Sequence, residues 1–552
     1  MKKLFLYLNT IKYLKFIQIY SRLKFLIYKP KITTKGLINR KSSINVNNWV
    51  SPAPKKSTYA YDGKEYVFKY LGEVSNFKNI NWSDQERELL WNYNLHYFDY
   101  INGNSVNLDE NISKGLIHDW IKRNSFNSTD NIGWQPYPTS IRIINWIKWN
   151  LRTGHEDAEI NQSIFLQARY LYKNIEWHIL GNHLFSNAKA LVYAGIYFDS
   201  AESQIWLNRG LSLINNEIDN QVLNDGGNFE LSTMYHAIFY EDVLDLINIL
   251  GISQVDDLNL LQKLKDCASK MNYWLLNMTH PDDEISIFND AAHNIVANPK
   301  ELNNYHLSLG IKTISDQKSD SPLNYVHFKD SGYTKIYSEN ATAFLDCAKA
   351  GADYIPSHAH ADTLSFELSI FNKRLIVNGG TSRYGNSDQR NFERSTASHN
   401  TVEINNKNSS QVWNGFRLGN RAKPLDFEIN NHGNSIEVAC SHDGYASIYN
   451  NLLHRRRWIL KENSLEIIDE IDGDYKNALS RLIINPEWRT KVISKNYIQF
   501  SDKEGLIVSL KCHNNFMKLN KTTCTNIFGK IYNTNLVEIH IKGKKNSAMF
   551  SW

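Results

Sequence analysis

The sequence is poor in cysteine, and its cysteines are not arranged as in disulfide-stabilised or zinc-stabilised proteins. Its 552 residues include only five: Cys267, Cys347, Cys440, Cys512 and Cys524. They are scattered, odd in number and never spaced as a CxxC pair, which argues against a disulfide framework and against a thiolate zinc site. A cysteine-poor chain is compatible with either side of a membrane, so the cysteine content leaves the compartment open.

The sequence also lacks a long uninterrupted apolar run. Near the N-terminus the apolar residues are broken by Lys12, Lys15, Arg22 and Lys24. A secretory signal needs about 7–15 continuous apolar residues and a spanning helix about 20, so neither is predicted, and no small-x-small cleavage pattern follows. Residues 1–50 are therefore predicted to be a basic amphipathic segment, which either lies on an anionic membrane surface or docks on its own protein.

A strong excess of one charge is absent as well. Lys and Arg number 62 against 57 Asp and Glu, a net charge of +5. Nucleic-acid binders usually carry a concentrated basic stripe, so we expect no nucleic acid partner. Aromatic residues, by contrast, are abundant: 24 Phe, 14 Trp and 30 Tyr make up 12% of the chain. This share is typical of a large core or of a cleft that uses flat apolar faces.

The spacing of apolar residues changes near residue 315. From about residue 82 to 309 they recur at steps of three and four, which predicts helices paired as antiparallel hairpins in an array or toroid. After about Pro322 they alternate, with hairpin patterns at 364–377 and 458–471, which predicts an antiparallel sandwich. The prediction is a multidomain α+β fold with three parts, an N-terminal segment (1–50), a helical unit (51–315) and a β-sandwich (316–552).

The densest candidate chemistry is the segment SHAHAD at 357–362. If the segment is a strand, His358 and His360 project from the same face. Two imidazoles on one face suit a metal site, or one ligand beside one acid/base group. Hairpin strands are expected to bring Asn378 and His399 close to them. The open alternative is a pair of histidines with satisfied hydrogen bonds, because HxH alone is weak evidence.

Two breaks between predicted helices hold further polar candidates. Asn182 and His183 follow a glycine at one break, and Glu230 and Tyr235 belong to the segment DGGNFELSTMYH at 225–236. Asn182 could equally cap a helix, and a tyrosine such as Tyr235 often packs with its hydroxyl satisfied.

Four motifs together resemble the heparinase II/III-like polysaccharide lyases, which include heparin and heparan sulfate lyases and oligo-alginate lyases. They are GNHLFSNAKAL (181–191), DGGNFELSTMYH (225–236), FNDAAHN (288–294) and HAHADTLSFEL…LIVNGGT…ERSTASHNTVEIN (358–405). The resemblance covers about residues 80–430 with useful motif density. It implies an N-terminal incomplete (α/α) toroid and a C-terminal antiparallel β-sandwich, in agreement with the periodicity.

The resemblance implies an enzyme, a carbon–oxygen lyase that cleaves a uronate-containing acidic glycan by β-elimination and leaves an unsaturated uronate end. Heparan sulfate-like, alginate-like and bacterial exopolysaccharide substrates all remain open. Elimination needs stabilisation of the uronate carboxylate, a base for the C5 proton and an acid for the leaving oxygen. By resemblance Asn182 binds the carboxylate with help from His183, while Tyr235 and His358 share the base and acid roles. Which of the two side chains is the base and which is the acid depends on whether the C5 proton is syn or anti to the leaving oxygen.

The resemblance also places His360, Asn378 and His399 at metal-ligand positions. A structural divalent metal is expected, with Zn first and Ca or Mn as alternatives, and no organic cofactor. In relatives the middle ligand is commonly an aspartate. The amide of Asn378 contributes no charge, so metal affinity should fall or the site should be empty.

Substrate contacts are predicted for Glu230, Trp134, Arg142 and Tyr384 as well. Aromatic faces accept sugar C–H groups, and an arginine pairs with uronate or sulfate in bidentate fashion. Core packing is the alternative for Trp134, and a position on the helix surface is the alternative for Arg142.

Two other functions remain open at this point. A metal-dependent hydrolase also uses HxH, but there the motif usually ends an early barrel strand, whereas here it follows about 350 mostly helical residues. A non-catalytic glycan-binding protein of polysaccharide biosynthesis is favoured by Asn378 and by the missing signal peptide. The resemblance implies the periplasm or cell envelope, and the cytoplasm is the alternative. The oligomeric state is open.

Overall fold

The computed structural model describes residues 2–27, 32–33, 40–41, 43–103, 109–126, 132–315, 321–449, 451–513 and 515–552. Two helices open this part of the chain, α1 (Lys2–Ile11) and α2 (Phe16–Ile27). A three-stranded antiparallel sheet follows, formed by β1 (Tyr59–Tyr61), β2 (Tyr66–Tyr70) and β3 (Glu73–Phe77). The apolar spacing does not predict this sheet, because strands of three to five residues are too short to establish a period.

Nine α-helices then follow within the described residues: α3 (Leu89–Tyr97), α4 (Glu110–Arg123), α5 (Pro136–Thr153), α6 (Ala158–Lys173), α7 (Gly181–Tyr197), α8 (Ala201–Gln221), α9 (Thr233–Gly251), α10 (Leu258–Asn277) and α11 (Pro299–Ser308). Many of the abundant aromatic residues fill the core of this array, where Trp120, Trp146 and Trp149 are fully buried. The helical half therefore uses much of the aromatic excess for packing.

The C-terminal half consists mainly of strands. A five-stranded sheet contains β4 (Leu323–Phe328), β5 (Tyr333–Ser338), β6 (Ala341–Asp346), β7 (Phe366–Ile370) and β8 (Lys373–Ile376). A short helix, α12 (Asp388–Glu393), precedes β9 (Val402–Ile404) and the small hairpin of β10 (Val412–Trp413) and β11 (Arg417–Leu418).

The remaining strands complete two larger antiparallel sheets. They are β12 (Pro424–Asn431), β13 (Ile436–His442), β14 (Leu453–Lys461), β15 (Ser464–Asp472), β16 (Ala478–Ile483), β17 (Arg489–Ser494), β18 (Tyr497–Ser501), β19 (Ile507–His513), β20 (Phe516–Cys524), β21 (Tyr532–His540) and β22 (Lys545–Ser551). The sheet orders are β12-β13-β14-β15-β22-β19-β18-β17 and β20-β21-β16-β9. Apolar side chains of these sheets and of the five-stranded sheet share one core. Both predicted hairpins are confirmed, as β7–β8 and β14–β15.

The predicted strand at His358 and His360 is wrong. Both residues lie in the irregular connection between β6 and β7. Contacts from distant segments hold this connection in place, among them the backbone N–H of His360, which donates to Asn289 Oδ1 at 2.9 Å. An alternating pattern does not form a strand where no neighbouring strand pairs with it.

The helical and β halves share a packed junction. Trp274 and Phe288 from the helical side form one core cluster with Phe328, Tyr333 and Phe344 of the five-stranded sheet. The hydroxyl of Tyr333 also donates to the Leu231 carbonyl at 2.6 Å. The candidate site lies at this junction.

Candidate active site

A buried aspartate, Asp290, organises the site. Its carboxylate accepts hydrogen bonds from His358 Nδ1 and His360 Nε2, both at 2.8 Å, and from Thr381 Oγ1 at 3.0 Å. Arg390 donates to both of its oxygens. Burial alone would raise the pKa of Asp290, but the Arg390 guanidinium and the two imidazoles hold that pKa well below its usual value. Asp290 is therefore ionised at neutral pH.

Asp290 determines which nitrogen of His358 is available for chemistry. Because the carboxylate is ionised, Nδ1 carries a proton and donates it, so the neutral imidazole has its lone pair on Nε2. That Nε2 lies 3.5 Å from Glu230 Oε2, and the His358 side chain is 11% exposed. His358 is thus a positioned imidazole with its accepting nitrogen directed away from its aspartate.

Tyr235 lies directly against this imidazole. Ser232 caps α9 by accepting from the Tyr235 backbone N–H at 3.2 Å, which places Tyr235 in the first turn. The rings of Tyr235 and His358 stack with centroids 3.8 Å apart. The Tyr235 hydroxyl lies 2.9 Å from that of Tyr384. Burial raises the pKa of both phenols well above the usual value, so both remain protonated at neutral pH.

The N-terminus of α7 forms the next side of the site. Asn182 and His183 are its second and third residues, and the helix begins at Gly181, whose φ is +54°. A Cβ at Gly181 would lie 3.6 Å from Glu230 Oε1, so this helix end approaches the carboxyl group beside His358. The first-turn N–H groups of a helix have no intrahelical partners and favour negative charge.

Glu230 is only 3% exposed. Burial raises its pKa. Its Oε2 has no hydrogen-bond partner among the described residues. A buried carboxyl group with a raised pKa therefore lies between the end of α7 and His358.

The three predicted metal ligands do not converge on one point. His360 Nδ1 faces His399 Nε2 at 3.2 Å, whereas the Asn378 amide oxygen lies 3.4 Å from the other ring nitrogen of His399, Nδ1. The two nitrogens of one imidazole cannot bind the same ion. Within the described residues, no group of three His, Cys, Asp or Glu side chains is placed to hold a metal. The donor set does not fit the expected three-ligand site, and of the two expectations, reduced metal affinity or an empty site, we keep the empty site as the prediction.

Two predicted substrate contacts are wrong because their side chains lie in the core. Arg142 is fully buried, with its guanidinium 3.8 Å from the Trp120 ring centroid, and it donates to Gln167 Oε1 at 2.8 Å. Trp134 is 7% exposed and donates from its indole nitrogen to the Asn124 carbonyl at 2.9 Å. Of the other predicted residues, Glu230, Tyr235, His358 and Tyr384 are brought together. Asn182 and His183 lie at the start of α7, where Gly181 approaches Glu230.

The sequence pattern does not reveal the roles of Asp290 and Arg390. Asp290 belongs to the motif FNDAAHN, but it lies 68 positions before His358 and 100 before Arg390. A single aspartate in an irregular segment carries no periodic signal that could reveal such partners. The only available signal was its place in a family motif.

Two family models together match nearly the whole chain. The heparinase II/III N-terminus model matches residues 25–309, and the heparinase II/III-like C-terminal model matches residues 320–552. A protein named heparin-sulfate lyase from Bacteroides stercoris is 26% identical over 547 residues, covering 89% of this chain and 78% of that protein. Another from Pedobacter heparinus is 23% identical over 398 residues, covering 65% of this chain and 59% of that protein.

Solved structures agree in fold. One titled heparinase III superposes with a TM-score of 0.67 at 17% identity, covering 96% of this chain and 88% of that one. A heparinase III gene product superposes with a TM-score of 0.64 at 20% identity, covering 86% and 81%. The predicted fold class and the predicted reaction class, a carbon–oxygen lyase acting on polysaccharides, are confirmed. The chain belongs to the heparinase II/III-like family.

Proposed function

We propose that this polysaccharide lyase cleaves a uronate-containing glycan by β-elimination, with His358 as the base and Tyr235 as the proton donor. The stacked pair of these two side chains carries the proposal. Nε2 of His358 bears the lone pair because Asp290 holds the proton on Nδ1. The Tyr235 phenol is protonated, because burial raises its pKa. His358 takes the C5 proton, and Tyr235 gives its proton to the departing 4-linked oxygen.

The uronate carboxylate must be stabilised while negative charge develops on it. We assign this role to the Asn182 amide and to the first-turn N–H groups of α7. Glu230 suits the same position in its protonated form, because burial raises its pKa and a neutral carboxyl group donates a hydrogen bond to a carboxylate. These groups act on charge that grows in the transition state, which is the interaction that accelerates a reaction.

The stacking also favours one stereochemistry. A separation of 3.8 Å between the ring centroids of Tyr235 and His358 leaves no room for a sugar ring between them. Both groups therefore approach the sugar from one side, as syn elimination requires. We propose a substrate whose C5–H and C4–O bonds lie on the same face, the configuration of glucuronate.

The substrate class follows from this chemistry together with the relatives. The matched relatives are named heparin-sulfate lyases. We propose a glucuronate-containing glycosaminoglycan-like chain of the cell envelope as the substrate.

A panel of uronate polymers tests the proposal through the ultraviolet absorbance of the unsaturated product. We expect product from an unsulfated glucuronate–glucosamine polymer and little from an iduronate-rich one. Tyr235→Phe should lower kcat by about 100-fold or more with KM nearly unchanged, and His358→Ala should behave similarly. Tyr193→Phe is the matched control, because this buried hydroxyl donates to the Asp245 carbonyl away from the site. Glycan binding without product from any polymer would favour the non-catalytic alternative.

A further inference from the structure

The net charge of +5 conceals a strong asymmetry along the chain. The first 61 residues contain 13 Lys and Arg and no Asp or Glu, and the first acidic residue is Asp62. The remaining residues carry 49 basic and 57 acidic side chains. A positive segment attached to a slightly negative protein is typical of electrostatic attraction to an anionic surface.

The two helices at the start of this segment expose many apolar side chains. Of the 32 large hydrophobic side chains exposed among the described residues, 13 lie between positions 4 and 27. On α2 they form a stripe at helical spacing, with Phe16 80%, Tyr20 53%, Leu23 58% and Ile27 84% exposed. A contiguous exposed stripe of this kind marks an interaction surface.

A different face of the same helices holds them on the protein. The Gln18 side chain, which is buried, donates to the carbonyls of Ile179 and Tyr354, both at 3.4 Å. On α1, Thr10 Oγ1 accepts from the indole nitrogen of Trp413 at 3.2 Å. Docking therefore uses the polar and aromatic edges of the two helices and leaves the apolar stripe uncovered.

The two helices are too short to span the hydrocarbon core of a bilayer. They contain 10 and 12 residues, and no helix in the described part of the chain is both long and apolar enough to span a membrane. A helix with an apolar stripe and flanking Lys and Arg residues instead lies in the plane of the interface between lipid headgroups and acyl chains.

We propose that α1 and α2 bind this protein to the surface of an anionic membrane. The apolar stripe enters the upper acyl region, while the exposed Lys12 and Arg22 face the phosphate headgroups. A groove of about 680 Å³ beside α2 adds Lys173 and Arg209 to the positive surface.

The membrane-binding helices also adjoin the candidate site. Trp413, which α1 contacts, belongs to the hairpin that carries Phe416, and the ring centroid of Phe416 lies 6.4 Å from that of His358. Tyr354, which α2 contacts, precedes Ile355, whose side chain lies against Gly181. If the proposed function holds, the site therefore opens close to the lipid surface and meets glycan chains there.

Vesicle flotation of the full chain tests the membrane proposal. We expect flotation with vesicles of phosphatidylcholine and phosphatidylglycerol, much less with phosphatidylcholine alone, and a decrease at high salt. Phe16→Ser/Leu23→Ser should weaken binding by at least about tenfold. Lys12→Gln/Arg22→Gln should weaken it by about fivefold per charge. Leu258→Ser/Ile507→Ser is the matched control, because these side chains are 71% and 54% exposed elsewhere.

Three results would overturn the proposal. They are no flotation with anionic vesicles, equal binding by Phe16→Ser/Leu23→Ser, and a dimer in sedimentation that the same variant abolishes without any vesicle binding. The last result would assign the stripe to a second copy of the chain. Tyr235→Phe should float like the unmodified protein, so failure of the lyase assignment and failure of membrane binding are distinguishable.

Discussion

At the residue scale, Asp290 joins the chemistry to the stability of the site. Asp290→Asn leaves the buried Arg390 without its carboxylate and removes the acceptor that holds the His358 proton on Nδ1. We expect kcat to fall by about 10²–10⁴-fold, with a smaller change in KM. The loss of a buried pair should also cost about 3–5 kcal/mol of unfolding free energy, measured in urea.

The Asp290 effect has a defined pH dependence and a control. The folded-state pKa of Asp290 is lowered, so its stabilisation is complete above the unfolded-state value of about 4 and is lost as pH falls through the lower folded-state value. Asp290→Asn/Arg390→Met should recover stability without recovering activity. Asp282→Asn is the matched control, because this carboxylate pairs with Arg374 outside the site and is 38% exposed. Full activity of Asp290→Asn would contradict the assigned role.

The ionisation of Glu230 affects the stability of the fold in the opposite direction to that of Asp290. Its pKa is raised in the folded state, so its ionised form costs stability above the unfolded-state pKa, and this cost disappears at lower pH. Glu230→Gln should raise the melting temperature at neutral pH by about 1–2 °C and lower kcat/KM. Glu241→Gln should instead lower the melting temperature, because Glu241 pairs with Lys55 at 3.0 Å. A lower melting temperature for Glu230→Gln would contradict this account.

The arrangement of His360, Asn378 and His399 leads to a prediction about metal. Because Asn378 and His360 contact different nitrogens of His399, we expect chelation to leave activity and melting temperature unchanged. Turnover and thermal unfolding are measured before and after dialysis against EDTA. A drop in melting temperature that Zn²⁺ restores would show that the three side chains rearrange around an ion.

At the element scale, the start of α7 depends on a glycine. Gly181→Ala introduces a Cβ at φ +54° and 3.0 Å from Ile355 Cδ1. The left-handed conformation alone costs about 1–2 kcal/mol, and the contact would also displace Asn182. Gly154→Ala pays the same conformational cost at φ +70° with no atom within 4 Å. We expect both variants to lose stability in urea unfolding and only Gly181→Ala to lose kcat/KM.

The elements also show how far the sequence could predict the structure. Long helices such as α9 and the hairpin β14–β15 were predictable, because their patterns extend over many residues. The β1–β3 sheet is too short for such a pattern. The alternating pattern around His358 and His360 predicted a strand. The prediction failed because the conformation of this loop depends on Asn289 and Asp290, about 70 residues away. The resemblance of the motifs predicted which residues belong to the site. Arg142 and Trp134 were expected in the cleft but lie in the core, because residue type alone does not distinguish the two locations.

At the scale of the whole molecule, the two halves are built as one unit. Trp274 from α10 is fully buried, and its ring centroid lies 5.8 Å from that of Phe328 and 6.0 Å from that of Tyr333. Asp225, from the helical half, accepts from the Ser331 backbone N–H at 2.7 Å. Separation of the halves would expose this apolar cluster and leave buried polar groups without partners, so neither half should melt alone.

We therefore expect one cooperative thermal transition, with the helical far-ultraviolet signal and the aromatic near-ultraviolet signal changing together. Trp274→Ala should cost about 3–5 kcal/mol and lower the midpoints of both signals equally, because its side chain belongs to the shared cluster. Ile205→Ala is the control, since this α8 side chain is 52% exposed and should leave both midpoints in place. Two separate thermal transitions, in either signal, would mean that the two halves unfold independently and that the junction between them opens first.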